Sequence, residues 1–392
     1  MAKVITKAMR HVAAAMACIA LSAFALAGCS GDKGISPENV SSELTYDHSM
    51  ELKYAKLFSV DYYNDGYKLI TLDDEGAYLV VPEGAAIPSD LSPEVVVLQQ
   101  PLDQIYLVAS SAFDMFKAID GIDTIHLSGT KANSWHIKEA VDAMNSGKIL
   151  YAGKYNIPDY ELILSEGCDL AIESTMIYHT PDVKEAIEGY GIPVFVDMSS
   201  YEDEPLGRSE WVKVYGAMLN KEAEAEAAFD EQEAMFDAVA DEVAGTSTGK
   251  TVAFFYITTS GEVNVRKSTD YVPKMIALAG GEYAFSDLDG DPDSRTSSVT
   301  MQMEDFYNTA KDCDILIYNS TITGEVDSID ELLGLSSFMG EFTAVSTGNV
   351  WCTSQNMYQE SMQLGYFVKD LHTILVNPDA SDSELVYLRK LH

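Results

Sequence analysis

Basic residues and cysteine are both scarce in this chain: 25 Lys and Arg stand against 62 Asp and Glu, and there are five Cys in 392 residues. The resulting net charge of −37 excludes nucleic acid as a partner, because a field of that sign repels phosphate backbones. The same field repels anionic lipid head groups and keeps a protein soluble and monomeric. Past residue 29 only Cys168, Cys313 and Cys352 remain, an odd set that cannot form a disulfide framework. Each reads as a small buried hydrophobe, with one pair left open. His48, His126, His136, His179, His372 and His392 are scattered, and neither His-x-x-x-His nor Cys-x-x-Cys occurs, so no bare metal site is expected. There is no nucleophile elbow, P-loop or dinucleotide fingerprint, hence no catalytic residue and no resident cofactor is assigned. Membrane-length apolar runs are lacking too. The Ala-rich stretch from Val12 to Ala25 is shorter than the roughly 20 residues a spanning helix needs.

What is present begins with that stretch. It follows Lys3, Lys7 and Arg10 and runs into Leu26-Ala27-Gly28-Cys29, which resembles a bacterial lipoprotein signal. The resemblance implies cleavage before Cys29, lipid on its new N-terminus, and an exported chain anchored to the cell membrane. An ordinary secretory peptide with an incidental cysteine is the alternative. Loss of residues 1–28 removes three bases and no acid, which takes the net charge from −37 to −40. From Ser30 to Glu43 the chain is rich in Ser, Gly, Asp and Pro without apolar period, and residues 29–43 read as a flexible tether.

From Leu44 to about Asp197 short β-rich runs are expected to alternate with helical ones. Ile105–Ala109, Thr124–Leu127, Asp169–Ile172 and Ile192–Val196 are strand candidates. The intervening runs from Ala112, His136, Tyr160 and Asp182 have helical spacing, an order that predicts parallel βαβ units. Between Ser209 and Val243 there is no Pro and no Gly except Gly216, and this segment reads as one long helix or two in tandem. A second alternating unit follows, with strands at Thr251–Ile257, Ile315–Tyr318 and Asn349–Cys352 and a closing helix over Leu364–Leu375.

Several segments together resemble the solute-binding proteins of ABC importers for iron complexes, haem and cobalamin. Pro158-Asp159-Tyr160-Glu161-Leu162-Ile163-Leu164 followed by Cys168-Asp169-Leu170-Ala171-Ile172 matches the family's glutamate-led helix and strand. Val299 to Phe306, followed by Asp312-Cys313-Asp314-Ile315-Leu316-Ile317, repeats it. Pro205-Leu206-Gly207-Arg208-Ser209-Glu210-Trp211 resembles the entry to the family's connecting helix, although Glu204 stands where many relatives carry histidine. The resemblance implies an α/β fold of two Rossmann-like lobes joined by one long α-helix, with the ligand cleft between the lobes. The lobes would span 44–204 and 246–392, with 205–245 as the connecting region.

The same resemblance implies that Glu161 and Glu304, one per lobe, dock into arginines of a membrane permease, whose ATPase drives import. Two carboxylates on separate rigid bodies give registry as well as attraction. Either is also explained as a first-turn acid favoured by the helix dipole. Ligand candidates lie on loops at the carboxyl ends of strands: Trp135, Tyr178, Arg208, Arg266, Lys267, Tyr271 and Tyr358. Arginine grips carboxylate or catecholate oxygens, and aromatic faces stack on a macrocycle or chelator. Trp135 is equally readable as packing, and Arg266-Lys267 as a solvated turn. The function expected is a tethered receptor for a small-molecule iron complex, haem or corrinoid. The alternatives are an exported enzyme using Glu202 and Glu204 for acid-base chemistry, or a sensor or adhesin lipoprotein on the same fold.

Overall fold

The computed structural model describes residues 36–73, 75–244, 247–288 and 296–392. Residues 46–99 make a sheet of their own, from β1 (Tyr46–Ser49), β2 (Phe58–Tyr63), β3 (Lys68–Leu72), β4 (Gly76–Val81) and β5 (Val95–Gln99), in the order β1-β2-β3-β4-β5. Its first three pairings are antiparallel and only β4–β5 is parallel. Alternation of strand and helix therefore starts at Ile105, not near Leu44. The tether also ends earlier than expected: Val40 is buried, Tyr63 donates to the Pro37 carbonyl at 2.7 Å, and Asp90 accepts from the Ser42 amide at 2.9 Å.

The first parallel sheet has the order β12-β11-β6-β7-β8. In chain order it comprises β6 (Ile105–Leu107), α1 (Ala112–Ala118), β7 (Ile125–Ser128), α2 (Lys138–Asn145) and β8 (Leu150–Tyr151). After a short hairpin of β9 (Gly153–Lys154) and β10 (Ile157–Pro158) come α3 (Tyr160–Ser165), β11 (Leu170–Ser174), α4 (Pro181–Gly189) and β12 (Val194–Asp197). Leu170, Ala171, Ile172, Val194, Phe195 and Val196 are buried, as a parallel sheet covered on both faces requires.

The connector is three helices, α5 (Pro205–Glu210), α6 (Val212–Leu219) and α7 (Glu222–Val243). Asn220 breaks the run by adopting φ 56°, a left-handed conformation its short polar side chain tolerates. The chain then doubles back: a Cβ on Gly216 would sit 2.6 Å from the Ala225 Cβ, so α6 and α7 touch where no side chain fits. Across α7, a Cβ on Gly365 would meet the Met235 Cβ at the same 2.6 Å. The 22-residue α7, about 33 Å long, is thus packed against α6 of the connector and, further along, against α13 (Leu364–Val376) of the second lobe.

The second lobe holds β13 (Thr251–Ile257), β14 (Val263–Arg266), α8 (Tyr271–Leu278), β15 (Glu282–Tyr283), β16 (Ser298–Met301), α9 (Met303–Ala310) and β17 (Ile315–Tyr318). It continues through α10 (Ser320–Thr323), α11 (Ile329–Leu335), α12 (Thr343–Ser346), β18 (Val350–Thr353), α13 (Leu364–Val376) and β19 (Leu388–Lys390). Its sheet runs β16-β14-β13-β17-β18-β19, with β15 beside β13; β13, β17 and β18 are parallel. Cys168, Cys313 and Cys352 are free; the last two are buried, and Cys168 is half-buried. No helix among the described residues is long and apolar enough to cross a membrane.

Candidate functional site

Loops leaving the carboxyl ends of the two parallel sheets meet each other. Residues 359–362, after β18, lie against segments that follow β6 and β7. Ser361 Oγ donates to the Ser111 carbonyl at 2.8 Å, and the Met362 amide donates to Asp114 Oδ2 at 2.9 Å. Lys274 Nζ pairs with Glu204 Oε1 at 2.9 Å between α8 and the start of the connector. The carboxyl edges therefore face one another, where open α/β sheets place ligands.

The second lobe and the connector supply cations mounted on aromatic rings. The Arg208 guanidinium lies 4.0 Å from the Tyr271 ring centroid and its Nη1 donates to the Ser200 carbonyl at 2.7 Å. Arg266 lies 5.0 Å from the Tyr358 ring, donates to the Tyr358 hydroxyl and, at 2.8 Å, to Ser297 Oγ, and has Asp270 3.7 Å away. Burial opposes the Arg266 charge, but Tyr358, Asp270 and Tyr271 around it hold its pKa above the ordinary arginine value. Burial raises the phenols of Tyr271 and Tyr358 as well, against the lowering effect of the neighbouring arginines. Asn319 Nδ2 completes the group by donating to the Tyr358 hydroxyl at 3.1 Å. Lys267 is buried beside it, with its backbone amide on the Ser297 carbonyl at 3.0 Å.

The first lobe contributes a more open wall, a cavity of about 460 Å³ at the ends of β6, β7 and β11. Thr130, Lys131, Ser134, Lys154, Tyr155 and Ser174 line it. Lys131 and Lys154 are exposed, and Lys131 Nζ lies 5.4 Å above the Tyr151 ring.

Of the residues singled out from sequence, Arg208, Arg266, Tyr271 and Tyr358 come together. Trp135 does not join them as a stacking platform: it is 4% exposed, its indole N–H goes to Ser128 Oγ at 3.3 Å, and its ring packs 5.0 Å from Phe113. Tyr178 sits half-buried on the turn Thr175–His179, packed against the core. Glu161 and Glu304 are exposed in the first turns of α3 and α9, and neither makes an ion pair among the described residues. Each opens a helix that feeds a parallel strand; such a helix runs antiparallel to it, so both acids sit at the carboxyl edges. Cys29 lies outside the described residues.

Sequence reasoning missed Lys131, Lys154, Asp270 and Ser297. For Lys131 the signal was available, since it follows β7 by three residues; Ser297 reaches Arg266 only through strand pairing. Glu202 and Glu204 are committed elsewhere. Buried Glu202 accepts from the Lys56 and Leu57 amides and from Trp211 Nε1, each at 3.0 Å, and Glu204 pairs with Lys274. Among the described residues no cluster of three or more His, Cys, Asp or Glu could hold a metal ion.

No family model matches the chain. An uncharacterized lipoprotein of Methanocaldococcus jannaschii is 27% identical over 397 residues, covering 93% of this chain and 92% of that protein. Among solved structures, a periplasmic haem-binding protein from Pseudomonas aeruginosa superposes with a TM-score of 0.58 at 14% identity, covering 74% of this chain and 98% of its own. The periplasmic haem-binding protein RhuT from Roseiflexus sp. RS-1 gives 0.54 at 18% identity, covering 70% and 97%. The chain therefore has the two-lobed α/β fold of the periplasmic binding proteins, its lobes joined by the three helices α5, α6 and α7.

Proposed function

We propose that this protein is a membrane-tethered receptor that captures an anionic metal chelate and delivers it to the permease and ATPase of an ABC importer. The cargo class is an iron complex, siderophore or haem, or a corrinoid. The observation that carries this reading is the pair of arginines, Arg208 and Arg266, each laid on a tyrosine ring at the interlobe edge of a chain with 62 acids. Ring-mounted guanidinium groups suit planar, oxygen-rich anions, and no turnover is needed for capture. Arg208, Arg266, Lys267 and Tyr271 form the ligand wall, Tyr358 covers Arg266 in the free protein, and Glu161 and Glu304 make the permease contact. Cys29 carries the lipid. The names of the relatives support export and anchoring, and those of the fold neighbours support the cargo class.

Binding is tested by thermal shift with haemin, cobalamin and ferric chelates, since a ligand that binds only the folded state raises its stability by mass action. A shift with at least one is expected; none with any overturns the cargo class. Replacing both Glu161 and Glu304 by Ala should leave that shift intact and abolish stimulation of the importer's ATPase. Unaltered stimulation would remove the docking role.

A further inference from the structure

Two adjacent side chains on the loop after β18 point to opposite lobes. Tyr358 is turned into its own lobe, where its hydroxyl accepts from Arg266 Nη2 and, at 3.1 Å, from Asn319 Nδ2. Gln359 reaches the other lobe with both ends of its amide: Oε1 accepts from the His136 N–H at 2.8 Å, and Nε2 donates to the Ser134 carbonyl at 2.9 Å. Ser134 also lines the first-lobe cavity, so this bridge stands at the cavity's rim. The segment is one compact turn, because the amides of Gln359 and Glu360 both donate to the Asn356 carbonyl, at 2.8 and 3.0 Å.

We propose that Tyr358 and Gln359 form a latch that cargo releases. The Tyr358 hydroxyl occupies the arginine fork that an anionic oxygen would take. A guanidinium donates more strongly to an anionic oxygen than to a neutral phenol, so an anionic ligand displaces the phenol from Arg266. The turn moves as a unit, and Gln359 lets go of Ser134 and His136. Occupancy of the second-lobe wall thereby changes the grip between lobes, while the bonds of Ser361 to Ser111 and Met362 to Asp114 remain as the pivot. Each released hydrogen bond is worth a factor of about 2 to 10 in an equilibrium, small enough for a ligand of ordinary affinity to overcome. The proposal rests on the reading of the cleft as the ligand site.

Hydrogen exchange at the His136 amide tests the latch in the free protein. Gln359→Ala should speed that exchange about fivefold, and Gln359→Glu, which keeps the acceptor for His136 but loses the donor to Ser134, should fall between. Tyr358→Phe touches neither residue, yet should also speed it. No effect of Gln359→Ala overturns the latch, and no effect of Tyr358→Phe overturns the coupling. Haemin and a ferric tricatecholate serve as probes of displacement. A probe that binds the wild type should bind Tyr358→Phe several-fold tighter; weaker binding makes Tyr358 a ligand contact and overturns displacement. If neither probe binds, the cargo reading fails, while the exchange measurements still decide whether the bridge and its coupling exist.

Discussion

The two lobes use charge in opposite ways. Around the second lobe's half of the cleft the prominent charges are cations held on rings, Arg208 over Tyr271 and Arg266 over Tyr358. In the first lobe and the connector, several buried carboxylates are held by backbone amides instead. Glu210, fully buried, accepts from the amides of Lys53, Tyr54 and Ala55 at 2.8–2.9 Å and has Lys213 Nζ at 3.2 Å. With Glu202 it fastens the loop between β1 and β2 onto the connector. Asp197 accepts from the Ser199 amide at 3.1 Å and from the Tyr215 hydroxyl. Buried acids such as Glu202, Glu210 and Asp197 are thus satisfied inside the scaffold of a chain whose net charge is −37. Glu173 is the exception, since it is buried at the carboxyl end of β11 with neither oxygen partnered.

The comparison can be broken at four points. Glu210→Ala should have the largest effect, a loss of about 5 kcal/mol in urea unfolding, because it orphans three amides and leaves Lys213 buried beside an exposed partner, Glu226. Glu173 comes next. Burial pushes its pKa from the ordinary 4.5 up to about 8, so the folded state holds a proton that the unfolded chain releases. Its contribution is therefore full below pH 4.5 and is lost as pH rises to 8, a cost of up to about 5 kcal/mol. Glu173→Gln should flatten that profile, with a melting temperature above wild type at pH 8.5 and close to it at pH 4.5. Arg266→Ala should weaken binding of an anionic chelate about 30-fold by calorimetry, roughly 2 kcal/mol, as expected for losing a charge-assisted hydrogen bond. Lys131→Ala, removing an exposed cation from the opposite wall, should change it by less than about threefold. Equal losses from the last two would erase the distinction between a preorganised wall and an open one.

Much of the scaffold was legible from pattern alone. Asp169–Ile172 and Ile192–Val196 read as strands, and Leu170-Ala171-Ile172 and Val194-Phe195-Val196 are strand residues buried along their length. The sheet over 46–99 was not legible as antiparallel, because β4 and β5 are nearly continuous apolar runs like those of a parallel sheet; β4 is buried at five of six positions. One long helix and two in tandem could not be told apart in the connector for a different reason: the single left-handed residue at the break, Asn220, leaves apolar spacing on both sides intact. At the site, residue type pointed to Arg208, Arg266, Tyr271 and Tyr358. It could not separate them from Trp135, whose ring is as suited to stacking as theirs but is enclosed by the first-lobe core.

Composition and local pattern determined the α/β class, the βαβ order from Ile105 onward, the helical connector and the acidic surface, because each depends on neighbours within a few residues. Only the tertiary structure decided which cation meets which ring. Arg266 and Tyr358 are 92 positions apart, and Gln359 and His136 are 223 apart. Contacts of that separation exist only once the sheets have brought their carboxyl edges face to face.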